Sequence, residues 1–237
     1  METKFSTRVW VSVVGIASIF LGSKGYADTV ISVADFGLKP DTRENAVAYV
    51  QKAIEACRGK EPVTLVFPEG RYDFWPQYAH EKNYYETNTY DVFPKRLAML
   101  FEGLHNITVD GSGSQFIMHD RIQPITVENC DGVTLKNFSI DWDIPLTAQA
   151  RVTKVGSDFF EIEINVLESP YIIEDGKLVF VGEGWKSALG SMIEFESDTH
   201  FVVPGTGDLV LGWNWGDYTA VSPRYGIVRL SRKGGFE

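Results

Sequence analysis

Basic residues are scarce in this sequence. Its 237 residues include 22 Lys plus Arg against 32 Asp plus Glu, so the formal charge is −10. Phosphate binding relies on a basic surface, and this balance therefore argues against a nucleic-acid partner. At 44% hydrophobic and 23% charged residues, the composition is that of a globular protein and excludes disorder, collagen and coiled coil.

Cysteine is almost missing. The two cysteines, Cys57 and Cys130, lie far apart in the sequence and fall on a predicted helix and a predicted strand. Their pairing cannot be decided from the sequence. Two buried free thiols are favoured, because unpaired cysteine is among the most buried residue types. With so few ligands nearby, we expect no metal site.

Long apolar runs are also missing after the first residues. Two basic residues precede an apolar run at 9–21, and Gly25 and Ala27 place small residues where a signal peptidase reads them. This order predicts a secretory signal peptide over residues 1–27, cleaved near Ala27. The run is shorter than the about 20 residues of a transmembrane helix, and no cysteine lies at the cleavage site to carry a lipid. We therefore expect an exported protein, periplasmic or secreted, without a membrane anchor.

The rest of the chain favours strands. Aromatic residues make up 13% of the sequence, and 22 glycines against four methionines also lean towards β-structure. One helix is predicted near 43–57, where an N-cap at Asp41 precedes apolar residues at helical spacing and Gly59 ends the pattern. Short strands follow, the first at 63–67. The sequence therefore predicts an all-β fold with one capping helix.

A repeat follows the helix. Val133-Thr134-Leu135 repeats Ile107-Thr108-Val109, and we expect a strand at 116–118 to stack on 138–140. The period, about 26 residues, is of the size that is typical of solenoids. Residues 28–150 are therefore predicted to form the cap and first coils of a parallel β-helix. The alternative is a β-sandwich with accidental spacing.

The repeat is lost after Arg151. Residues 151–231 show the alternation and the longer strands of an antiparallel meander, which predicts a second, inserted module. Nothing in this module returns to cover the open end of the coils. We therefore expect residues 232–237 to be a truncated end and the chain to be the start of a longer protein.

Several stretches resemble known enzymes. Val33-Ala34-Asp35-Phe36-Gly37 and Val66-Phe67-Pro68-Glu69-Gly70-Arg71-Tyr72 resemble the start of pectate-lyase-like β-helix enzymes. Asn106-Ile107-Thr108-Val109-Asp110-Gly111 and the stretch 133–143, with a Tyr-rich loop at 75–96 and the insert after Gln149, are similar to the α-1,3-galactosidases of glycoside hydrolase family 110. The resemblance covers the mature chain from about Val30, and only the N-terminal part of a family member.

This resemblance implies a right-handed β-helix with an inserted β-barrel domain. It also implies hydrolysis of a terminal α-1,3-linked galactose, as on blood-group-B-type glycans, with inversion and without a cofactor. The partner would be an oligosaccharide or glycoconjugate with terminal α-galactose, and the oligomeric state stays open. The family's catalytic aspartates lie on later coils, beyond Glu237. The catalytic residues are therefore unknown, and we expect the chain alone to be inactive.

Asp141 and Asp143 are the candidates for catalysis inside the chain. On an extended segment they project from the same face, with Cα atoms about 6.6 Å apart. This spacing suits inversion, because inverting glycosidases hold their two carboxylates roughly 6.5–9.5 Å apart. The favoured alternative is that they cap the end of a coil before Pro145, or support a pocket.

His119, Asp120 and Arg121 are candidate substrate-binding residues. With the predicted stacking, His119 lies one rung from Asp141, at about 4.8 Å. Polar side chains grouped in this way suit the hydroxyls of a sugar. The alternative is a set of solvated corner residues.

Tyr84 and Tyr85, in the loop 75–96, are further substrate-binding candidates. Tyrosine offers a sugar both a stacking face and a hydroxyl. The alternative, which we favour slightly, is that the loop is a lid packed on the first coil.

Two other functions stay open on the same fold. One is a polysaccharide lyase or polygalacturonase. A lyase needs a Lys or Arg base and usually a calcium cage of carboxylates, and the coils show no acidic triplet with a paired base. The other is a non-catalytic β-helix that binds glycans.

Overall fold

The computed structural model describes residues 29–84, 94–204, 209–210 and 217–232. Strands dominate these residues, beside a 3₁₀ helix at Val33–Phe36 and the helix α1 at Val47–Cys57. The prediction of an all-β fold is therefore confirmed. The predicted signal peptide and Tyr85 lie outside the described residues. In the described part of the chain, no helix is long and apolar enough to cross a membrane.

Helix α1 begins later than predicted. Asp41 does not cap it, because the Asp41 carboxylate accepts the backbone N–H of Arg71 at 2.9 Å. The side chain of Asn45 accepts the backbone N–H of Val47 instead, at 3.1 Å. The helix then runs to Cys57 and buries Val47, Val50, Ala53, Ile54 and Cys57 against the strands.

Eight strands of the described residues precede residue 143. They are β1 (Thr29–Ser32), β2 (Val63–Val66), β3 (Arg71–Phe74), β4 (His80–Lys82), β5 (Lys95–Glu102), β6 (His105–Met118), β7 (Gln123–Glu128) and β8 (Asp131–Trp142). The order β1-β2-β6-β8 is parallel throughout. Ile107 pairs with Val133 and Val109 with Leu135. The register predicted from the repeated triplets is therefore confirmed.

The predicted register of the second half was wrong. Phe116 pairs with Ile140 rather than with Phe138. The sequence separation between paired residues of β6 and β8 is therefore smaller in the second half of β6 than in its first half. The change occurs at a corner of β6 between Asp110 and Ser114. β8 turns the same corner with two residues fewer. His119 therefore follows the pair Met118–Trp142 and lies level with Asp143, not with Asp141.

Parallel pairing continues on the other strands of this part. β3 pairs with the second half of β6, and β5 pairs with β7. β4 lies antiparallel on β5. Between these ladders is one apolar core, with Phe67, Phe74, Phe101 and Phe116 fully buried.

The strands after residue 149 form a second region with its own core. Among the described residues they are β9 (Ala150–Val155), β10 (Phe159–Ile164), β11 (Tyr171–Glu174), β12 (Lys177–Gly182), β13 (Trp185–Ala188), β14 (Ser191–Met192), β15 (Leu209–Val210), β16 (Thr219–Arg224) and β17 (Ile227–Ser231). Their pairing is antiparallel, in the orders β16-β17-β10-β9, β11-β12-β13 and β14-β15. Ile162, Leu178 and Val228 belong to a hydrophobic cluster that is distinct from the first core.

Both cysteines are free. Cys57 is buried in α1, where its thiol donates to the carbonyl oxygen of Ala53 at 3.2 Å. The thiol of Cys130 lies 3.3 Å from the carbonyl oxygen of Phe101. Burial raises the pKa of Cys57 to about 11, so this thiol is held in its neutral form.

Candidate functional site

A cluster of charged side chains lies where the parallel strands meet the turn between β12 and β13. Its members come from distant parts of the sequence and are Arg71, Asp73, His119, Asp143 and Glu183. Arg71 and Asp73 are two residues apart on β3, so their side chains share one face of the strand. His119 and Asp143 directly follow β6 and β8. The register of the ladder therefore brings these groups together.

Asp73 is the centre of the cluster, and its side chain is fully buried. Arg71 approaches it through Nε, which lies 3.0 Å from both carboxylate oxygens. His119 Nε2 lies 2.9 Å from Oδ1 of the same carboxylate. Burial alone would raise the pKa of Asp73, but the hydrogen bonds from Arg71 and His119 outweigh it and lower this pKa below its ordinary value. Asp73 is therefore an ionised carboxylate held by two donors.

His119 connects the two regions of the chain. Its Nδ1 lies 2.7 Å from the carboxylate of Glu183, on the turn that follows β12. Its Nε2 faces Asp73, and the residue is 3% exposed. The His119 ring thus joins one carboxylate from each region.

Arg71 also reaches the end of β8. Its Nη2 lies 2.7 Å from Asp143 Oδ1, and Arg43 Nη1 lies 3.7 Å from the same oxygen. The hydrogen bond to Asp73 and, secondarily, that to Asp143 raise the pKa of Arg71 further above its ordinary value. Arg71 therefore stays charged and cannot serve as a base.

The donor set resembles a metal site in part. One ligand atom each of Asp73, His119 and Asp143 lies within 4.8 Å of the others. Arg71, however, donates to both carboxylates and supplies the positive charge that a cation would bring. A metal ion would have to displace this guanidinium, and we therefore assign no metal to the cluster.

The two catalytic candidates are placed differently. Asp143 binds Arg71, as described above. Asp141 is exposed, and its carboxylate accepts the backbone N–H of the next residue, Trp142, at 2.8 Å. This local contact is of the capping kind that we favoured, whereas Asp143 contacts side chains. A catalytic role for either residue stays a prediction.

Three of the predicted sugar-binding residues differ in their exposure and in their contacts. His119 is buried and bonded at both nitrogens. Asp120 is half-buried and faces the turn at Gly184, and its carbonyl oxygen accepts from the indole of Trp142 at 3.3 Å. Arg121 is exposed and lies 5.8 Å above the ring of Trp185. These three residues therefore line the junction between the two regions, and their contact with sugar stays a prediction.

Tyr84 lies on another side of the strands. Its hydroxyl donates to the carboxylate of Glu128 on β7, which also accepts from Lys82 at 2.8 Å. The described start of the loop therefore contacts β7, and sugar binding by Tyr84 and the lid alternative both stay predictions. Tyr85 lies outside the described residues.

Sequence reasoning missed Asp73, Arg71 and Glu183. The alternation Arg71-Tyr72-Asp73 was a usable signal, because an extended segment places these two charges on one face, and opposite charges that are buried together must pair. No local pattern marks Glu183. It reaches His119 only through the way the two regions pack.

Known proteins match this chain along most of its length. Residues 148–236 match the family described as GLAA-B beta-barrel domain I. An alpha-1,3-galactosidase B of Bacteroides thetaiotaomicron is 58% identical over 205 residues, which cover 86% of this chain and 33% of that protein. An alpha-1,3-galactosidase B of Phocaeicola vulgatus is 37% identical over 85% of this chain and 32% of its own length.

A third relative is an alpha-1,3-galactosidase A of Shewanella woodyi. It is 35% identical over 70% of this chain and 28% of its own length. The chain thus spans about a third of the length of the curated relatives that it matches. The resemblance predicted from the sequence is confirmed, and this chain is a homologue of a region of the α-1,3-galactosidases.

Proposed function

We propose that the chain is part of an exported glycoside hydrolase that releases terminal α-1,3-linked galactose. The observation that carries this proposal is the 58% identity to an alpha-1,3-galactosidase B over 86% of the chain. The substrate would be an oligosaccharide or glycoconjugate with terminal α-galactose, such as a blood-group-B-type glycan. Hydrolysis would invert the anomeric centre.

The first region would be the start of a right-handed parallel β-helix. Three parallel ladders support this proposal. β2 pairs with the first half of β6, which pairs with the first half of β8, and β3 pairs with the second half of β6, which pairs with the second half of β8. The third ladder is β5-β7. Successive strands of one coil alternate among these ladders, as the strands of a solenoid do. We place the first region at residues 28–150 and the inserted β-barrel-like region at 151–231.

The cluster around Asp73 would support the substrate site rather than perform the chemistry. An inverting hydrolase needs one carboxylic acid that protonates the leaving oxygen and one carboxylate that activates water. Asp73 is buried and Asp143 is paired with Arg71. Neither is placed to exchange a proton with a bound sugar. We therefore propose that the acid and the base lie beyond Glu237, as the family resemblance implies, and that this chain alone is inactive.

A lyase receives less support from the same contacts. Its base would have to be a lysine or arginine able to lose a proton near the acidic residues. Arg71 and Arg43 both lie near Asp73 and Asp143. Arg71 makes the closer contacts, and its raised pKa keeps it protonated. A non-catalytic glycan-binding role for the isolated chain agrees with every contact described, and the assay below separates it from hydrolysis.

The assay is release of galactose from a blood-group-B-type trisaccharide. Purified residues 28–237 should give none, whereas the product of a reading frame that continues past the Glu237 codon should release galactose. The anomer released first, followed by NMR, tests inversion. Turnover by residues 28–237 that is lost in Asp141→Asn or Asp143→Asn would place the active site in this chain and overturn the proposal of inactivity.

Export is tested on the same material. We propose cleavage after Ala27, because the basic, apolar and small-residue segments follow the order of a signal peptide. The exported product should begin at Asp28, as read by N-terminal sequencing. Recovery of the whole protein in the cytoplasm with Met1 retained would contradict the proposal.

A further inference from the structure

We propose that a groove between α1 and Tyr78 binds a neutral, galactose-containing glycan, apart from the cluster around Asp73. The groove has a volume of about 370 Å³ and is lined by Glu44, Asn45, Ala48, Tyr49, Lys52 and Tyr78. Small-molecule sites usually have volumes of roughly 300–1,000 Å³. The inference goes beyond the proposed function because this site takes no part in hydrolysis, although the choice of galactose rests on that function.

Tyr78 presents its ring to solvent on one wall of the groove. The residue is 64% exposed, and its backbone has a φ of 68°. A left-handed backbone conformation is unusual for a bulky residue. Such strained conformations persist where surrounding contacts stabilise them, and they are concentrated at functional sites. An exposed tyrosine ring offers an apolar face on which the C–H bonds of a pyranose can lie.

Hydrogen bonds from α1 and from Asn45, two residues before it, hold the backbone at Tyr78 before any ligand arrives. Gln51 Nε2 donates to the carbonyl oxygen of Tyr78 at 2.8 Å. Asn45 Nδ2 donates to the carbonyl oxygen of Gln77 at 2.9 Å, and its Oδ1 accepts the backbone N–H of Trp75 at 3.2 Å. Both polar atoms of the Asn45 side chain are therefore engaged in hydrogen bonds within the protein, and Asn45 does not contact the ligand. A wall held in place in advance reduces the ordering cost of binding.

The charges of the groove favour a neutral ligand. Glu44 and Lys52 are both exposed, and among the described residues neither side chain has an ion-pair partner. Glu44 supplies hydrogen-bond acceptors and Lys52 supplies donors. Because their charges are opposite, the groove prefers neither an anion nor a cation. A sugar needs both donors and acceptors beside an aromatic face, and this groove provides the three together.

The test titrates the exported product of this chain with α-1,3-galactobiose and follows backbone amide shifts by NMR. We expect saturable shifts in α1 and around Tyr78. Tyr78→Asn should weaken binding by about fivefold, the loss of one stacking contact. Asparagine tolerates left-handed backbone, so this variant keeps the loop. Tyr225→Asn is the matched control, because Tyr225 is 83% exposed in the other region, and it should bind like the parent.

Either of two results would overturn the proposal: no shifts in α1 at saturating disaccharide, or equal binding by the parent and Tyr78→Asn. Hydrolysis is a separate readout. If a longer product fails to release galactose while Tyr78-dependent binding persists, then the proposed function fails and this site stands. If release occurs and binding does not, the reverse holds.

Discussion

The indole of Trp75 lies flat on the imidazole of His119, with ring centroids 3.8 Å apart and ring planes 11° from parallel. Asp73 and Glu183 bind the two nitrogens of that imidazole. One stacked face and two hydrogen bonds leave the ring no freedom to turn. His119 is therefore a fixed connection between the parallel strands and the turn that carries Glu183.

Replacing Asp73 with asparagine should destabilise the protein and change its response to acid. The pKa of Asp73 is lowered in the folded state, so its contribution is fully present above the unfolded value of about 3.9 and is lost as the pH falls through the folded value. At pH 7 we expect Asp73→Asn to cost roughly 1–3 kcal/mol in urea denaturation. Below about pH 4 the difference from the parent should shrink.

Asp217→Asn is the control for this experiment. The pKa of Asp217 is also lowered, chiefly by its hydrogen bond from Lys177, but its side chain is 86% exposed. The variant should unfold like the parent at pH 7, since exposed pairs contribute little. A stability loss in Asp73→Asn that stays constant down to pH 2 would contradict the assignment of Asp73 as an ionised carboxylate.

Replacing Glu183 with alanine should loosen the turn between β12 and β13. The change removes the carboxylate partner of His119 Nδ1 and leaves a buried donor without its acceptor, at a cost of about 1–3 kcal/mol. Hydrogen exchange of the amides at 181–186 should speed up relative to those of β6. Glu174→Ala is the control, because its partner Lys186 is exposed. Equal protection in the two variants would show that His119 does not hold the turn.

Cys57 should resist alkylation in the folded protein. Its pKa is raised to about 11 by burial, so the reactive thiolate is rare at pH 8, and the residue has no exposed surface. Iodoacetamide followed by peptide mass analysis should modify Cys57 only after urea is added. Cys57→Ser provides the unmodified reference peptide. Rapid labelling of Cys57 without urea, or a disulfide-linked Cys57–Cys130 peptide, would contradict the structure.

Replacing Gly111 with alanine should disturb the corner of β6. A Cβ at this position would lie 2.5 Å from Cβ of Phe138 and 2.7 Å from the carbonyl oxygen of Asn137, and backbone contacts of this kind cannot yield easily. We expect a loss of roughly 1–3 kcal/mol in urea denaturation. Gly190→Ala is the control, since its nearest atom would be 3.9 Å away. A neutral Gly111→Ala would show that β6 and β8 are not in close contact at this corner.

The first half of the ladder was predictable and the second half was not. Ile107 and Val133 begin nearly identical triplets, so the apolar pattern alone fixes their pairing. At the corner β8 has two residues fewer than β6, and no apolar pattern records how a corner closes. Ser112, at the corner of β6, and Asn137, at the corner of β8, both have left-handed backbone and mark the positions of the two corners.

The site was predictable only where strand alternation governs it. Arg71 and Asp73 share a face because they are two residues apart on one strand, and the pairing of Ile117 with Asp73 places His119 beyond them. Glu183 comes from the region after residue 149, and no pattern in the adjacent sequence indicates that it contacts His119. Contacts between regions with different hydrophobic cores depend on how the regions pack together, which sequence periodicity does not encode.

The corner of β6 also bears on how this protein can change during evolution. The sequence offset between paired residues of the two coils differs on the two sides of the corner, yet both flanks keep regular parallel pairing. Insertions and deletions at 111–113 are thus absorbed without turning any core side chain outwards, whereas a one-residue insertion or deletion inside either flank would invert the whole face. Length differences among homologues should accordingly gather at such corners, and the strands between them should stay constant in length.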